Sequence, residues 1–308
     1  MTRSHSEDGL CSGTVALIGR PNAGKSTLMN RMLQEKLAIV SDKPQTTRHR
    51  IVGILTETRG QIVFFDTPGI HKPMHRMNRD MVRKARQALR DADVVCLLVD
   101  ASVPFGRGDA FLLDLLVDTP GPRIAILNKI DRISKEKLLP RMERYGEPGA
   151  FEEIIPVSAF TGDGVDRVLD SLFRLLPEGP PSYDPELLTL HPERFLVAER
   201  IREKVLELTS DEIPYTTAVR IDRWEESDEG PLLRIFASIL VEKAGQKKIL
   251  IGREGRMIRE IGTQARLDLE KYLDRPIYLD LHVRREPRWR ESSRILGELE
   301  DEARPRGG

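Results

Sequence analysis

The stretch GRPNAGKS, Gly19 to Ser26, limits the available folds more than any other feature of this 308-residue chain. It fits G-x-x-x-x-G-K-[S/T] and lies between the apolar run TVALIG and a segment of helical period. Glycine-rich backbone at such a junction lets N–H groups curl around a phosphate, and the helix N-terminus adds its partial positive charge. The motif needs a strand that feeds a helix, which predicts a mostly parallel sheet with ligands at its carboxyl edge. The runs QIVFFD, DVVCLLVD, RIAILN and EEIIPVS agree, because they alternate with helical segments. RHRIVGILTETRGQIVFFD breaks the alternation with two strand-like runs meeting at ETRG, a hairpin that adds one antiparallel edge strand. The expected fold class is α/β over residues 10–178, followed by a proline-rich, aperiodic linker at 179–193.

The P-loop assigns Gly19, Asn22, Ala23, Gly24, Lys25, Ser26 and Thr27 to nucleotide binding. Lys25 supplies a point charge to the β- and γ-phosphates, and Ser26 a Mg²⁺ ligand. By itself this leaves kinases, ATPases and GTPases open. NKID, Asn128 to Asp131, ends the run RIAIL at the same sheet edge and narrows the choice. An Asp131 carboxylate accepts both the N1–H and N2 amino protons of guanine, whereas adenine offers neither, which is discrimination of about 10⁴ or more. Asn128 is expected at the base edge near N7 and the Lys129 stem along the ring. Ser158, Ala159 and Phe160 end the run EEIIPV, where their backbone N–H groups can meet guanine O6. DTPG is expected to hold Mg²⁺ through water at Asp66 and to set the Gly69 N–H against the γ-phosphate. In KPQTTRHR, Thr46 and Thr47 both offer a switch hydroxyl for Mg²⁺, Thr47 being preferred. The expected catalytic set is Lys25, Thr47, Asp66 and Gly69. After the glycine stands Ile70, an aliphatic residue that cannot orient a water, and His71 reads as a loop residue rather than a general base.

GRPNAGKST, TTRHR, DTPG, NKID and SAF at these spacings resemble the translation-factor-related bacterial GTPases. Within that group, PQTTRHRIVGI followed by DTPGIHKP is similar to the Era family. The resemblance implies GTP and GDP as ligands with Mg²⁺, a hydrophobic residue in the place of Ile70, and Asn22 as a K⁺ ligand assisting slow hydrolysis.

Beyond the linker, residues 194–290 read as helix, two strands, two helices and a strand, an α+β order unlike the first half. ILIGREGRMIREIG sets Gly252, Arg253, Glu254 and Gly255 between the two helical segments, flanked by Lys247, Lys248 and Arg256. From Lys243 to Arg259 there are six basic residues against one acid. A small glycine-bounded turn between helices is how KH domains clamp about four nucleotides, and the element order resembles the bacterial, type II KH domain. With aromatic residues only 5% of the chain, aliphatic contacts and hydrogen bonds are the expected means of base recognition. A KH domain behind this GTPase also resembles the Era family. That likeness implies a ribosome-assembly factor that binds the 3′ end of small-subunit ribosomal RNA in its GTP state, acting on the 30S subunit, with peripheral association at the inner membrane face. Residues 291–308 read as a charged tail.

The longest apolar runs, such as VVCLLV, fall well short of the roughly 20 residues that span a bilayer, and MTRSHSEDGL is no signal peptide. Cys11 and Cys96 are widely separated, so free thiols in a reducing cytosol are expected. The six histidines show no metal-ligand spacing. A cytoplasmic monomer is the expectation. The competing class is a GTP-gated membrane- or protein-interaction module whose second domain binds no RNA. An NTP-dependent transferase is disfavoured, since no nucleophile is suggested beyond the nucleotide site.

Overall fold

The structure is a computed structural model that describes residues 9–43, 46–69, 76–117, 119–146, 150–210, 212–227 and 230–305. Ile70 and His71 lie outside the described residues. The chain divides into two compact units, one built mainly from residues up to Leu190 and the other mainly from His191 onward.

The first unit holds strands β1 (Cys11–Gly19), β2 (Ile51–Glu57), β3 (Gly60–Asp66), β4 (Val94–Asp100), β5 (Arg123–Asn128) and β6 (Glu153–Pro156) in the order β2-β3-β1-β4-β5-β6. Only β2 runs antiparallel to its neighbour, so the hairpin at ETRG forms the edge as expected. Helices α1 (Lys25–Leu33), α2 (Arg76–Asp91), α3 (Arg107–Val117), α4 (Lys135–Tyr145) and α5 (Val165–Leu175) make the crossovers. With helices on both faces, strand residues of either parity are buried, which is why β3 and β4 read as continuous apolar runs. Ala16, Ile18, Val95 and Leu97 pack with Ala85, Ala88 and Leu89 of α2 and with Leu112 and Leu116 of α3. This ordering brings the carboxyl ends of β1, β3, β4 and β5 to one edge.

Of the expected linker at 179–193, residues 179–190 are not free. Gln61, fully buried in β3, accepts from the Ser182 and Tyr183 amides at 2.9 Å and donates to Tyr183 O at 2.9 Å. Ile54 N–H bonds Leu188 O at 2.8 Å, and Gly179 N–H bonds Leu10 O at 2.8 Å. The prolines exclude regular structure, but the backbone polar groups are satisfied by the edge of the first unit, so the segment is laid onto it.

The second unit contains α6 (Glu193–Leu208), a short α7 (Ile213–Thr216), β7 (Ala218–Glu226), β8 (Leu233–Val241), α8 (Ala244–Ile251), α9 (Arg256–Leu273) and β9 (Ile277–Arg285). The sheet order is β7-β8-β9, with β7 antiparallel and β9 parallel to β8. Alternate residues of β8, Leu233 to Val241, turn inward against Ile201, Val205, Ile261 and Ala265. The expected tail is part of this unit. Residues Ser293–Ala303 form α10, its first turn capped by Ser292, whose Oγ accepts from Ile295 N–H. Trp289 just before it is 1% exposed and donates its indole N–H to Thr216 O at 2.9 Å. Trp289 anchors the segment, Ile295 and Ala303 of α10 are buried with it, and Arg290 pairs with Glu242 at 2.5 Å.

Candidate nucleotide site and glycine turn

The P-loop leaves β1 at Gly19 and enters α1 at Lys25, with Asn22 (φ 63°) and Gly24 (φ 94°) both left-handed. That backbone curls the loop into a cradle. Lys25 is 5% exposed, and its ammonium donates to Arg20 O at 3.1 Å and Gly19 O at 3.4 Å. Burial lowers its pKa, while the Asp66 charge partly restores it. Gly69 approaches the loop so closely that a Cβ there would sit 2.7 Å from Pro21 N and Cα, so only glycine brings this strand-end loop against the phosphate cradle.

Ser26, Thr47 and Asp66 converge. Ser26 Oγ lies 2.9 Å from Thr47 Oγ1 and donates to Asp66 Oδ2 at 2.6 Å, with Thr47 Oγ1 at 3.4 Å from the same oxygen. Thr46 is buried as well, but the hydroxyl at this cluster is that of Thr47. Asp66 Oδ1 is buried and has no hydrogen-bond partner among the described residues. Burial pushes the Asp66 carboxyl up to about 6, against the pull of Lys25 and the two hydroxyls. An oxygen-only set with one uncompensated buried oxygen fits a small hard cation, so Mg²⁺ would be held by Ser26, Thr47 and Asp66. When bound it neutralises charge on the β- and γ-phosphates.

At the base end, Ser158 Oγ donates to Asp131 Oδ1 at 2.6 Å, which fixes the carboxylate's orientation. Lys129 is left-handed (φ 67°), and its ammonium donates to Asp100 Oδ2 at 2.6 Å. Burial would raise the Asp100 pKa, but bonds from Lys129 and Ser102 hold it below the usual carboxylate range. Asp100 ends β4 and anchors the lysine stem that should lie along the base. Sequence reasoning missed it, because an aspartate at a strand end is an ordinary sight. Asn128 was expected at guanine N7. Its Nδ2 donates to Ala23 O at 2.8 Å and its Oδ1 accepts from Ala159 N–H at 2.9 Å, so it ties the P-loop to the loop at 158–160. The Ser158 and Ala159 amides, expected to face O6, donate to Asp163 O and Asn128 Oδ1. Phe160 is 77% exposed. Arg31 of α1, also missed, reaches Ala159 O and Phe160 O and steadies that loop. Thr27 is half-buried in the first turn of α1.

In the second unit, α8 is started by Gln246, whose Oε1 accepts from Glu242 and Lys243 N–H at 2.9 Å. It ends at Gly252 (φ 73°), a 3-10 turn carries Arg253 to Gly255, and α9 follows. A Cβ on Gly252 would meet Met257 N at 2.9 Å, whereas one on Gly255 (φ 74°) would meet open space. Gly252 therefore closes the turn and Gly255 only shapes it. Lys247, Lys248, Arg253 and Arg256 are exposed around it, and Glu254 pairs with Arg256 at 3.3 Å. Ile249 is 53% exposed beside the turn, an aliphatic surface suited to a base. The sequence hides it inside the apolar run ILI, where burial is the ordinary expectation.

A carboxylate set for guanine, on a P-loop sheet with an oxygen-lined cation cluster, makes the class a guanine nucleotide hydrolase, here with an α+β nucleic-acid module appended. Residues 14–129 match the family model described as 50S ribosome-binding GTPase, and residues 212–290 match the KH domain model. The chain is 48% identical over 294 residues to GTPase Era of Geobacter sp., covering 96% of this chain and 99% of that protein. It is 48% identical over 290 residues to GTPase Era of Leuconostoc citreum, covering 94% and 95%. A variant of Aquifex aeolicus Era bound to GDP·AlF4⁻ matches the fold with a TM-score of 0.91 at 36% identity, over 94% of this chain and 99% of that one. Era in complex with MgGDPNP and nucleotides 1506–1542 of 16S ribosomal RNA matches with a TM-score of 0.91 at 36% identity, over 94% and 98%. The chain belongs to the Era family of GTPases.

Proposed function

We propose that this GTPase is a switch that binds the 3′ end of 16S ribosomal RNA through its KH domain in the GTP state and so assists assembly of the 30S subunit. The observation that carries the reading is the turn at Gly252–Gly255, open above Gly255 and ringed by exposed Lys247, Lys248, Arg253 and Arg256. It has the steric opening and charge that a nucleic-acid backbone needs. The relative bound to 16S nucleotides supports the choice of RNA. In this reading the protein acts as a monomer in the cytoplasm and meets the inner membrane face only peripherally; no helix among the described residues is long and apolar enough to cross a membrane.

The test is the affinity of the full chain for a single-stranded RNA copying that 3′ end, with a non-hydrolysable GTP analogue and with GDP. Gly255→Asp is the suitable variant, because aspartate tolerates the left-handed region and projects its charge into open space. Gly252→Asp would instead collide with Met257 and distort the turn. Tighter binding with the analogue is expected, together with a loss in Gly255→Asp of at least about tenfold in RNA affinity, 1.4 kcal/mol, and unchanged nucleotide affinity. Equal RNA affinity in the variant would refute the KH assignment and favour a protein or membrane partner.

Hydrolysis in this reading is slow and assisted by K⁺. Asn22 is exposed at the left-handed tip of the P-loop, and in this reading its side-chain carbonyl is the ligand for a cation beside the phosphates. A monovalent ion there does part of the charge neutralisation that an arginine finger does elsewhere. Hydrolysis in K⁺ should exceed that in Na⁺ by about tenfold or more, a barrier difference near 1.4 kcal/mol. Asn22→Ala should erase the difference, and equal wild-type rates in the two salts would sink the idea.

A further inference from the structure

Helix α2 carries exposed arginines at 79, 83, 86 and 90. Their spacing of three and four residues sets them in one row along the helix. The opposite side is used up, since Met81, Ala85, Ala88 and Leu89 are buried, the last three against the sheet. From Arg76 to Asp91 the helix holds six basic residues against two acids, in a chain whose 49 basic and 49 acidic residues balance. None of the other helices described in the first unit carries such an excess. Asp80 pairs with Arg83 at 3.2 Å and Asp91 with Arg50 at 3.0 Å. Exposed ion pairs of this kind are weak and give way to a denser anion.

We infer that this arginine row is a second nucleic-acid contact, gripping the phosphate backbone of an RNA duplex without reading its sequence. The row from 79 to 90 extends about 16 Å at 1.5 Å per residue, long enough to meet several successive phosphates of one strand. Guanidinium groups match phosphate oxygens two at a time, which suits arginine better than lysine. A rigid row favours the fixed phosphate spacing of a duplex over a flexible single strand. A bilayer is the poorer occupant, because a helix lying in a membrane needs an apolar face free to insert, and that face is in the core. The row belongs to the first unit and the glycine turn to the second; only the choice of RNA as the anion rests on the RNA-binding reading above.

The experiment measures binding of the full chain to a blunt RNA hairpin without single-stranded ends, to the single-stranded 3′-end RNA and to vesicles containing phosphatidylglycerol, over a range of salt. The variants are Gly255→Asp and the triple change Arg83→Gln, Arg86→Gln, Arg90→Gln, which keeps helix-forming stems at exposed positions. In the triple variant, hairpin affinity should fall at least tenfold. The slope of log K against log salt should fall by about 2 to 3, near 0.9 per lost phosphate contact. Its single-strand affinity, GTP hydrolysis and thermal melting should be unchanged. Gly255→Asp should keep hairpin binding while losing the single strand, which separates the two sites; a Gly255→Asp protein that still binds the single strand would count against the KH reading alone. Unchanged hairpin affinity and slope in the triple variant would overturn the arginine row as an RNA contact. So would a loss confined to vesicles containing phosphatidylglycerol, which would reassign the row to an anionic lipid surface.

Discussion

Replacing Asp131 with asparagine should weaken GTP binding on the order of 10⁴-fold and at the same time create affinity for XTP. The carboxylate presents two acceptors to the N1–H and N2 amino donors of guanine, and an amide would turn one of them into a donor facing a donor. Mismatched hydrogen bonds in a site built for them cost this much because both partners stay desolvated and unpaired. Xanthine carries a carbonyl oxygen where guanine carries the N2 amino group, so the same amide finds an acceptor there. Asparagine keeps Oδ1, and with it the 2.6 Å bond from Ser158 Oγ, so the loop should hold its shape. Competition of GTP and XTP against a fluorescent nucleotide reads both effects. Undiminished GTP affinity would place the base elsewhere.

Lys25→Ala should lower the hydrolysis rate by about 10³, the scale of one preorganised charge-stabilising group lost from a transition state. A second loss accompanies it. The Asp66 carboxyl stands at about 6 because burial raises it and Lys25 pulls it back. Mg²⁺ binds the ionised form, so protons compete as pH falls through that value, and metal affinity drops below it. Without Lys25 the pull is gone and the competition moves to higher pH. A Mg²⁺ titration of the GDP complex at several pH values should show the midpoint rise in the variant. Alkaline pH should restore metal binding while the rate stays low. A rate that recovers with the metal would mean that Lys25 acts only through Asp66.

The phosphate and base loops were legible because their chemistry sits in short contiguous strings, each at a strand end. Lys25, Ser26 and Asp66 meet because adjacent parallel strands end at one edge. What the strings do not carry is the bracing from far away. Asp100 is 29 residues from Lys129, and Arg31 is 128 from Ala159, so neither pairing has a local signature. The same holds for Gln61, whose bonds 121 and 122 residues on turn an apparent linker into part of the first unit. Trp289 betrayed nothing either, since a single aromatic among charges gives no period to read. In the glycine turn the pattern G-x-x-G shows two equal glycines, and only the backbone shows that Met257 leaves Gly252 no room while Gly255 has space.

Asn128 has a thermodynamic consequence. One amide is fastened at both ends, to Ala23 beneath the phosphates and to Ala159 beside the base. The conformational entropy of ordering the two loops is thus lost together rather than twice. A guanine that seats first leaves less disorder for the phosphates to remove, and the reverse is equally true. The nucleotide is held as one object, and its halves cooperate through a side chain that bonds the protein itself at Ala23 and Ala159.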